Sequence, residues 1–92
     1  MIREDLREEI KELGFEESLL FDNPSFDNAI IGYTDDERIV YDYDKMVECY
    51  AEEFGVEPID AADFISYNTV RALPYAGEKA PIIVYPFNTD DI

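Results

Sequence analysis

The sequence predicts a small α+β domain in which about three helices pack on a mainly antiparallel three-stranded sheet. Three segments carry apolar residues at helical spacing, and three others carry alternating or continuous runs rich in β-branched residues. With 47% hydrophobic and 14% aromatic residues, the 92-residue chain can fill one core. The expected element order is α-β-β-α-α-β, in a single domain over residues 1–92 with a frayed tail at residues 88–92.

The first predicted helix covers residues 2–13. Four apolar residues recur there at helical spacing, namely Ile2, Leu6, Ile10 and Leu13. Gly14 is typical of the left-handed position that follows a helix end, and Phe15 is then expected to fold back toward Ile10. The helix should therefore end at Gly14.

The next segment is expected to lack long regular elements. Residues 18–21 form either a short strand or an irregular apolar plug, since the run is too short to decide between them. Residues 21–28 contain Asp, Asn and Pro, whose side chains and ring favour turns. We expect an ordered loop there, anchored by Phe21 and Phe26.

A β-hairpin and a later strand are expected to form the sheet. In the hairpin, one face of the alternating pattern holds Ala29, Ile31, Tyr33, Ile39 and Tyr41. The turn at residues 34–37 lacks glycine, so a longer loop based on a type I turn is favoured over a tight two-residue turn. Residues 80–86 form an apolar run between prolines, which is typical of a strand covered on both faces. This third strand should join the hairpin.

The second predicted helix covers residues 43–54. Its apolar stripe consists of Tyr43, Met46, Val47, Tyr50 and Phe54. Asp42 is a suitable N-cap, Tyr41 and Met46 are spaced as a hydrophobic staple, and Gly55 should end the helix.

The third predicted helix runs from about residue 61 to residue 67, or as far as residue 72. Asp60 is its expected N-cap, because Asp63 stands in the capping-box position and Ile59 and Phe64 are spaced as a staple. Pro74 and Gly77 should break the chain after it.

Charge is the feature that bears most on function. The chain holds 23 acidic and 7 basic residues and no histidine, which gives a net charge of -16. Bare nucleic acid and anionic membranes are repelled by such a charge, so a partner attracted at long range must be a basic protein. The N-terminus lacks a signal-peptide pattern and no apolar run approaches ~18 residues, so a cytoplasmic location is expected.

The residue inventory favours a protein that is not an enzyme and has no cofactor. No histidine is present to activate a serine, threonine or cysteine nucleophile, and the glycines are too scattered for a phosphate-binding loop. Cys49 lies beside the apolar stripe of the second helix and is expected to be a packing residue. Asp35-Asp36-Glu37 is either a loose Ca²⁺ or Mg²⁺ site or a solvated turn, and the second interpretation is favoured.

The acidic residues are concentrated on two helices and one turn. The first helix should carry one row of Glu4, Glu8 and Glu12 and another of Asp5 and Glu9, with offsetting contacts such as Glu4 to Arg7 and Glu8 to Lys11. The outer face of the second helix has only Lys45 nearby. The candidate partner-binding residues are therefore Glu4, Asp5, Glu8, Glu9, Glu12, Asp35, Asp36, Glu37, Asp44, Glu48, Glu52 and Glu53.

These acids permit more than one interpretation. Carboxylates four residues apart on a helix are separated by a rise of ~6 Å, whereas phosphates of one DNA strand follow every ~3.4 Å, so a helix imitates a phosphate backbone only coarsely. The leading hypothesis is a DNA mimic that inhibits a nuclease or another nucleic-acid-binding protein. A simpler alternative is that these carboxylates only form solvated helix faces. A further alternative is an interaction module or homodimer that uses tyrosines such as Tyr67 and Tyr75, with acidity serving solubility.

Three segments also resemble short acidic proteins encoded in bacterial genomes and their phages. They are Phe21-Asp22-Asn23-Pro24, Tyr41-Asp42-Tyr43-Asp44-Lys45-Met46-Val47-Glu48 and Tyr67-Asn68-Thr69-Val70-Arg71-Ala72-Leu73-Pro74-Tyr75. The resemblance covers most of residues 20–85, and it implies no activity and no functional residue. In size and acidity the chain is also similar to phage anti-CRISPR and anti-restriction proteins, many of which act as DNA mimics.

Overall fold

The computed structural model describes residues 3–15, 17–22 and 24–87, and the chain folds as an α+β domain with three helices and a three-stranded sheet. The helices are α1 (Glu4–Glu12), α2 (Tyr43–Phe54) and α3 (Pro58–Phe64), and the strands are β1 (Ile30–Tyr33), β2 (Ile39–Asp42) and β3 (Ile82–Val84). The predicted tail at residues 88–92 and the predicted contribution of Ile2 lie outside the described residues.

The predicted element order is incomplete, because three short helical segments lie among the helices and strands. A first 3₁₀ segment, Asp27–Ala29, precedes β1. A π-helical segment, Ile65–Thr69, and a second 3₁₀ segment, Val70–Tyr75, follow α3. Short segments of this kind have no long apolar periodicity, so the sequence pattern does not reveal them.

The sheet is mixed, so the prediction of a mainly antiparallel sheet is wrong in part. Its strand order is β1-β2-β3. β1 and β2 form the predicted antiparallel hairpin, with Tyr33 opposite Ile39. β2 and β3 are parallel, with Val40 opposite Ile82, because α2, α3 and the segments after them return the chain to the other end of the sheet. β3 lies at an edge and is only partly buried, not covered on both faces.

The core lies between the sheet and the helices. Its largest fully buried side chains include Tyr41, Ile39, Met46 and Ile65, with Ile10 of α1 packed against them. Phe26 is buried and contacts the ring of Phe21, which confirms the two phenylalanines as anchors of an irregular loop. Residues 18–20 form no strand, which leaves the apolar plug.

The ends of α1 and α2 follow the local signals in the sequence. Asp42 accepts a hydrogen bond from the backbone N–H of Lys45 at 3.0 Å, so it caps α2 as predicted. Gly55 has φ of 64°, the left-handed conformation expected where α2 ends. α1 ends before Gly14, which has φ of 84°.

The predicted start of α3 is wrong. The helix begins at Pro58, whose fixed φ suits the first helical position, and Glu57 precedes it without a side-chain cap. Asp60 therefore lies in the first turn, and Ile59 is 72% exposed, so neither the predicted cap nor the predicted staple forms. The α-helix also ends at Phe64, earlier than expected. None of the described helices is long and apolar enough to cross a membrane.

Candidate acidic interface

A buried ion pair fixes the position of α1. Asp27 is fully buried and accepts two hydrogen bonds from the guanidinium of Arg7, from Nε to Oδ2 and from Nη2 to Oδ1, both at 2.8 Å. The backbone N–H of Arg3 also donates to Asp27 Oδ2 at 2.7 Å. Hydrogen bonds to Asp27 raise the pKa of Arg7 above its already high ordinary value, so the guanidinium stays charged.

This ion pair changes the charge balance of α1. The expected contact between Glu4 and Arg7 does not form, because Arg7 turns inward to Asp27 and to the carbonyl oxygen of Phe21 at 2.9 Å. Arg3 pairs with Asp5 at 3.1 Å, and the hydrogen bond from its side chain lowers the pKa of Asp5. Among the described residues, no cation pairs with Glu4, Glu8, Glu9 or Glu12, which all stay exposed.

The acids of α2 are likewise exposed. Glu48, Glu52 and Asp44 have no ion-pair partner within the part of the chain that the structure describes, and Glu53 is also on the exposed side. Glu52 and Glu53 line a depression of about 200 Å³ together with Asp27, Asn28 and Cys49. The second half of α2 therefore lies beside the first 3₁₀ segment.

Two helices thus converge on Asp27. α1 reaches it through Arg3 and Arg7, and α2 reaches it through the depression beside Glu52. We call the following exposed acids of the two helices, taken together, the acidic band: Glu4, Glu8, Glu9, Glu12, Glu48, Glu52 and Glu53. Sequence spacing predicted the two helix faces, and the structure shows that both helices lie beside the Asp27 segment. Arg7 and Asp27 were missed as organising residues because they are 20 positions apart.

The acids of the hairpin turn have a different environment. Lys79 Nζ pairs with Glu37 Oε2 at 3.2 Å and donates to the carbonyl oxygen of Asp36 at 2.6 Å. The hydroxyl of Thr34 donates to the Asp36 carboxylate, and this bond lowers the pKa of Asp36. Glu37 therefore has an ion-pair partner, whereas none is found among the described residues for Glu4, Glu8, Glu9, Glu12, Glu48 and Glu52. Asp44 lies at the other end of α2 from Glu52.

The described residues give the site no obvious covalent or metal chemistry. No group of three or more His, Cys, Asp or Glu side chains among them is arranged to hold a metal ion. Cys49 is half-buried against the core, and burial raises the pKa of its thiol, which keeps it in the less reactive protonated form. The arrangement is suited to binding positive charge.

Comparison with family models, curated protein sequences and solved structures gave no significant match to this chain. The function must therefore be argued from the acidic band and the rest of the surface.

Proposed function

We propose that the protein is a non-enzymatic acidic binding protein whose acidic band occupies the nucleic-acid-binding groove of a basic protein, as a DNA mimic does. The observation that supports this most is the inward turn of Arg7. Because the guanidinium of Arg7 binds the buried carboxylate of Asp27, it does not offset the charge of Glu4 on the surface of α1. A row of carboxylates is thereby left available to cationic side chains of a partner.

The size and charge of the molecule are compatible with this role. Its longest extent is 36 Å. A DNA duplex of that length carries about 21 phosphate charges, at one per ~1.7 Å of axis. The net charge of -16 is of the same order, although it is spread over several faces. A groove that binds duplex DNA would thus meet a negative charge of similar size on this protein. The proposal includes a cytoplasmic location, where nucleic-acid-binding proteins such as nucleases act.

Capture from a bacterial lysate at low salt tests the proposal. Immobilised protein should retain nucleic-acid-binding proteins, which added duplex DNA should release because both compete for one groove. Raising the salt from about 50 to 200 mM should also release them, since the contact is electrostatic. Retained proteins that neither DNA nor salt displaces would contradict mimicry.

The second candidate is an interaction module that uses exposed tyrosines, with acidity serving solubility. Tyr67 and Tyr75 are 71% and 90% exposed, as this alternative requires. A tyrosine-centred contact buries apolar rings, so its affinity should change little over the same salt range. The salt response of the captured proteins therefore separates the two functions.

A further inference from the structure

The acidic residues are distributed very unevenly along the chain. Residues 64–87 contain one of the 23 acidic residues, Glu78, and two of the seven basic residues, Arg71 and Lys79. One residue in four is acidic in the chain as a whole, so a segment of this length would ordinarily hold about six. One part of a strongly acidic molecule is thus nearly neutral.

The structure gathers this part of the chain into one surface around the second 3₁₀ segment. On one side, a cleft of about 570 Å³ lies between Val70, Leu73 and Pro74 and the strand residues Ile82 and Ile83. On the other side, a cleft of about 180 Å³ separates the segment from the apolar plug at Leu19, Leu20 and Phe21. Among the described residues, no Asp or Glu lines either cleft. We call these two clefts, the segment between them and Tyr67 the carboxylate-free face.

Aromatic and cationic side chains stand out from the carboxylate-free face. The guanidinium of Arg71 lies over the ring of Tyr67, with 4.9 Å from Cζ to the ring centre. Tyr75 is 90% exposed at the end of the same segment. Tyrosine and arginine are the residue types that most often dominate the binding energy of protein interfaces. The face therefore carries both halves of a cation–π contact, a free ring and a cation.

We propose that the carboxylate-free face binds a second copy of this chain in a two-fold symmetric dimer. In such a dimer, any contact of one residue with another is repeated in reverse, so Arg71 can meet the partner's Tyr75 and Tyr75 the partner's Arg71. An approach through α1 or α2 would bring exposed carboxylates of both copies together, and like charges repel. Charge thus favours the carboxylate-free face over these helices for self-association.

The dimer contact runs through side chains and leaves the acidic band free. β3 is an edge strand, but Pro81 and Pro86 flank it, and proline at an edge discourages the addition of another strand. A typical interface buries ~800 Å² per partner, a small share of the 6407 Å² that one copy exposes. The dimer would therefore present two acidic bands.

Sedimentation equilibrium of the purified protein at about 100 µM tests the dimer. We expect a weight-average mass that rises from near 10.7 kDa toward twice that value as salt is added, because salt screens the remaining repulsion between copies. Binding through the acidic band responds to salt in the opposite direction, so the two proposals fail independently. A mass of 10.7 kDa at every salt concentration would overturn the dimer.

Two variants locate the contact. Tyr75→Asp and Arg71→Glu each place a carboxylate on the face and should weaken the dimer by about tenfold or more. Both side chains are exposed, so the circular dichroism spectrum should match that of the wild type. Ile59→Asp is the matched control, since Ile59 is also an exposed apolar residue, at 72%, but lies on α3. Dimerisation that is unchanged in Tyr75→Asp and lost in Ile59→Asp would place the interface elsewhere.

Discussion

At the scale of single residues, Asp27 organises the part of the molecule that the proposed function uses. Its carboxylate is fully buried, and it is held by Arg7 and by the backbone N–H of Arg3. Breaking a buried ion pair leaves the other charge desolvated and unpaired, which is among the most destabilising single changes. Together with the packing of Ile10 on the core, Asp27 therefore holds α1 in position.

We expect Asp27→Asn to lower the free energy of unfolding by about 3 kcal/mol or more, since Arg7 would lose its buried counter-charge. Asp22→Asn is a close control, because Asp22 is paired with the same guanidinium at 3.4 Å but its side chain is 83% exposed. That change should cost less than about 1 kcal/mol. Urea unfolding followed by circular dichroism measures both. Equal effects would contradict the central role of the buried pair.

Tyr41 gives a prediction about alkaline pH. Its side chain is fully buried, its hydroxyl oxygen accepts a hydrogen bond from the backbone N–H of Phe21 at 3.1 Å, and burial raises its pKa to about 12. An unfolded tyrosine loses its proton near pH 10, so between pH 10 and pH 12 the folded state holds more protons. Stability should therefore fall as the pH rises, by about 1–3 kcal/mol across this window.

Comparison with Tyr41→Phe isolates this contribution from those of the other tyrosines and the lysines. The variant should be less stable at pH 7, because the Phe21 N–H loses its acceptor. It should then lose less stability than the wild type between pH 10 and pH 12. Identical pH profiles from urea titrations would show that Tyr41 ionises at the same pH in both states.

At the scale of helices and strands, the sequence predicts best those features that depend on residues close together in the chain. α2 has the predicted bounds because its cap, Asp42, and its stop, Gly55, lie within the same short segment. The start of α3 was mistaken because Pro58 at the first helical position outweighs the capping pattern at Asp60. The direction of β3 was also mistaken, since it depends on how the chain returns across the whole molecule.

The cap of α2 is testable by itself. Asp42→Ala removes the side-chain acceptor for the Lys45 N–H and should destabilise the protein by about 1 kcal/mol. Asp44→Ala, two residues on, removes the same charge from the first turn of the helix without removing the cap and should cost less. Thermal unfolding monitored at 222 nm would detect the difference. A larger loss in Asp44→Ala would mean that charge, not capping, matters there.

At the scale of the whole molecule, the acidic residues lie mostly on the helices and the hairpin turn, and residues 64–87 hold only one of them. The helix spacing of Glu4, Glu8 and Glu12 was readable from the sequence, and so was the run without acids over residues 64–77. The position of Asp27 beside both α1 and α2 was not readable, because its contact with α1 is an ion pair between distant residues. The sequence does not show that the second 3₁₀ segment packs beside β3 and the apolar plug, and this packing forms the carboxylate-free face.

The melting temperature should rise as NaCl is added, because salt screens repulsion among the carboxylates over about 8–10 Å. Differential scanning calorimetry between low and high salt measures this response. The variant Asp60→Lys with Asp63→Lys has a less negative net charge and should show a weaker rise. A melting temperature that is flat or falls with salt would show that the charge is too dispersed to oppose folding.

The central claim is that the position of the carboxylates, and not net charge alone, binds a basic partner. The most direct test measures the dissociation constant for a partner captured from lysate, using two variants with the same net charge. Glu48→Lys with Glu52→Lys alters the acidic band, and Asp60→Lys with Asp63→Lys alters α3. The account predicts a loss of about tenfold or more for the first pair and a much smaller loss for the second. Equal losses would contradict it.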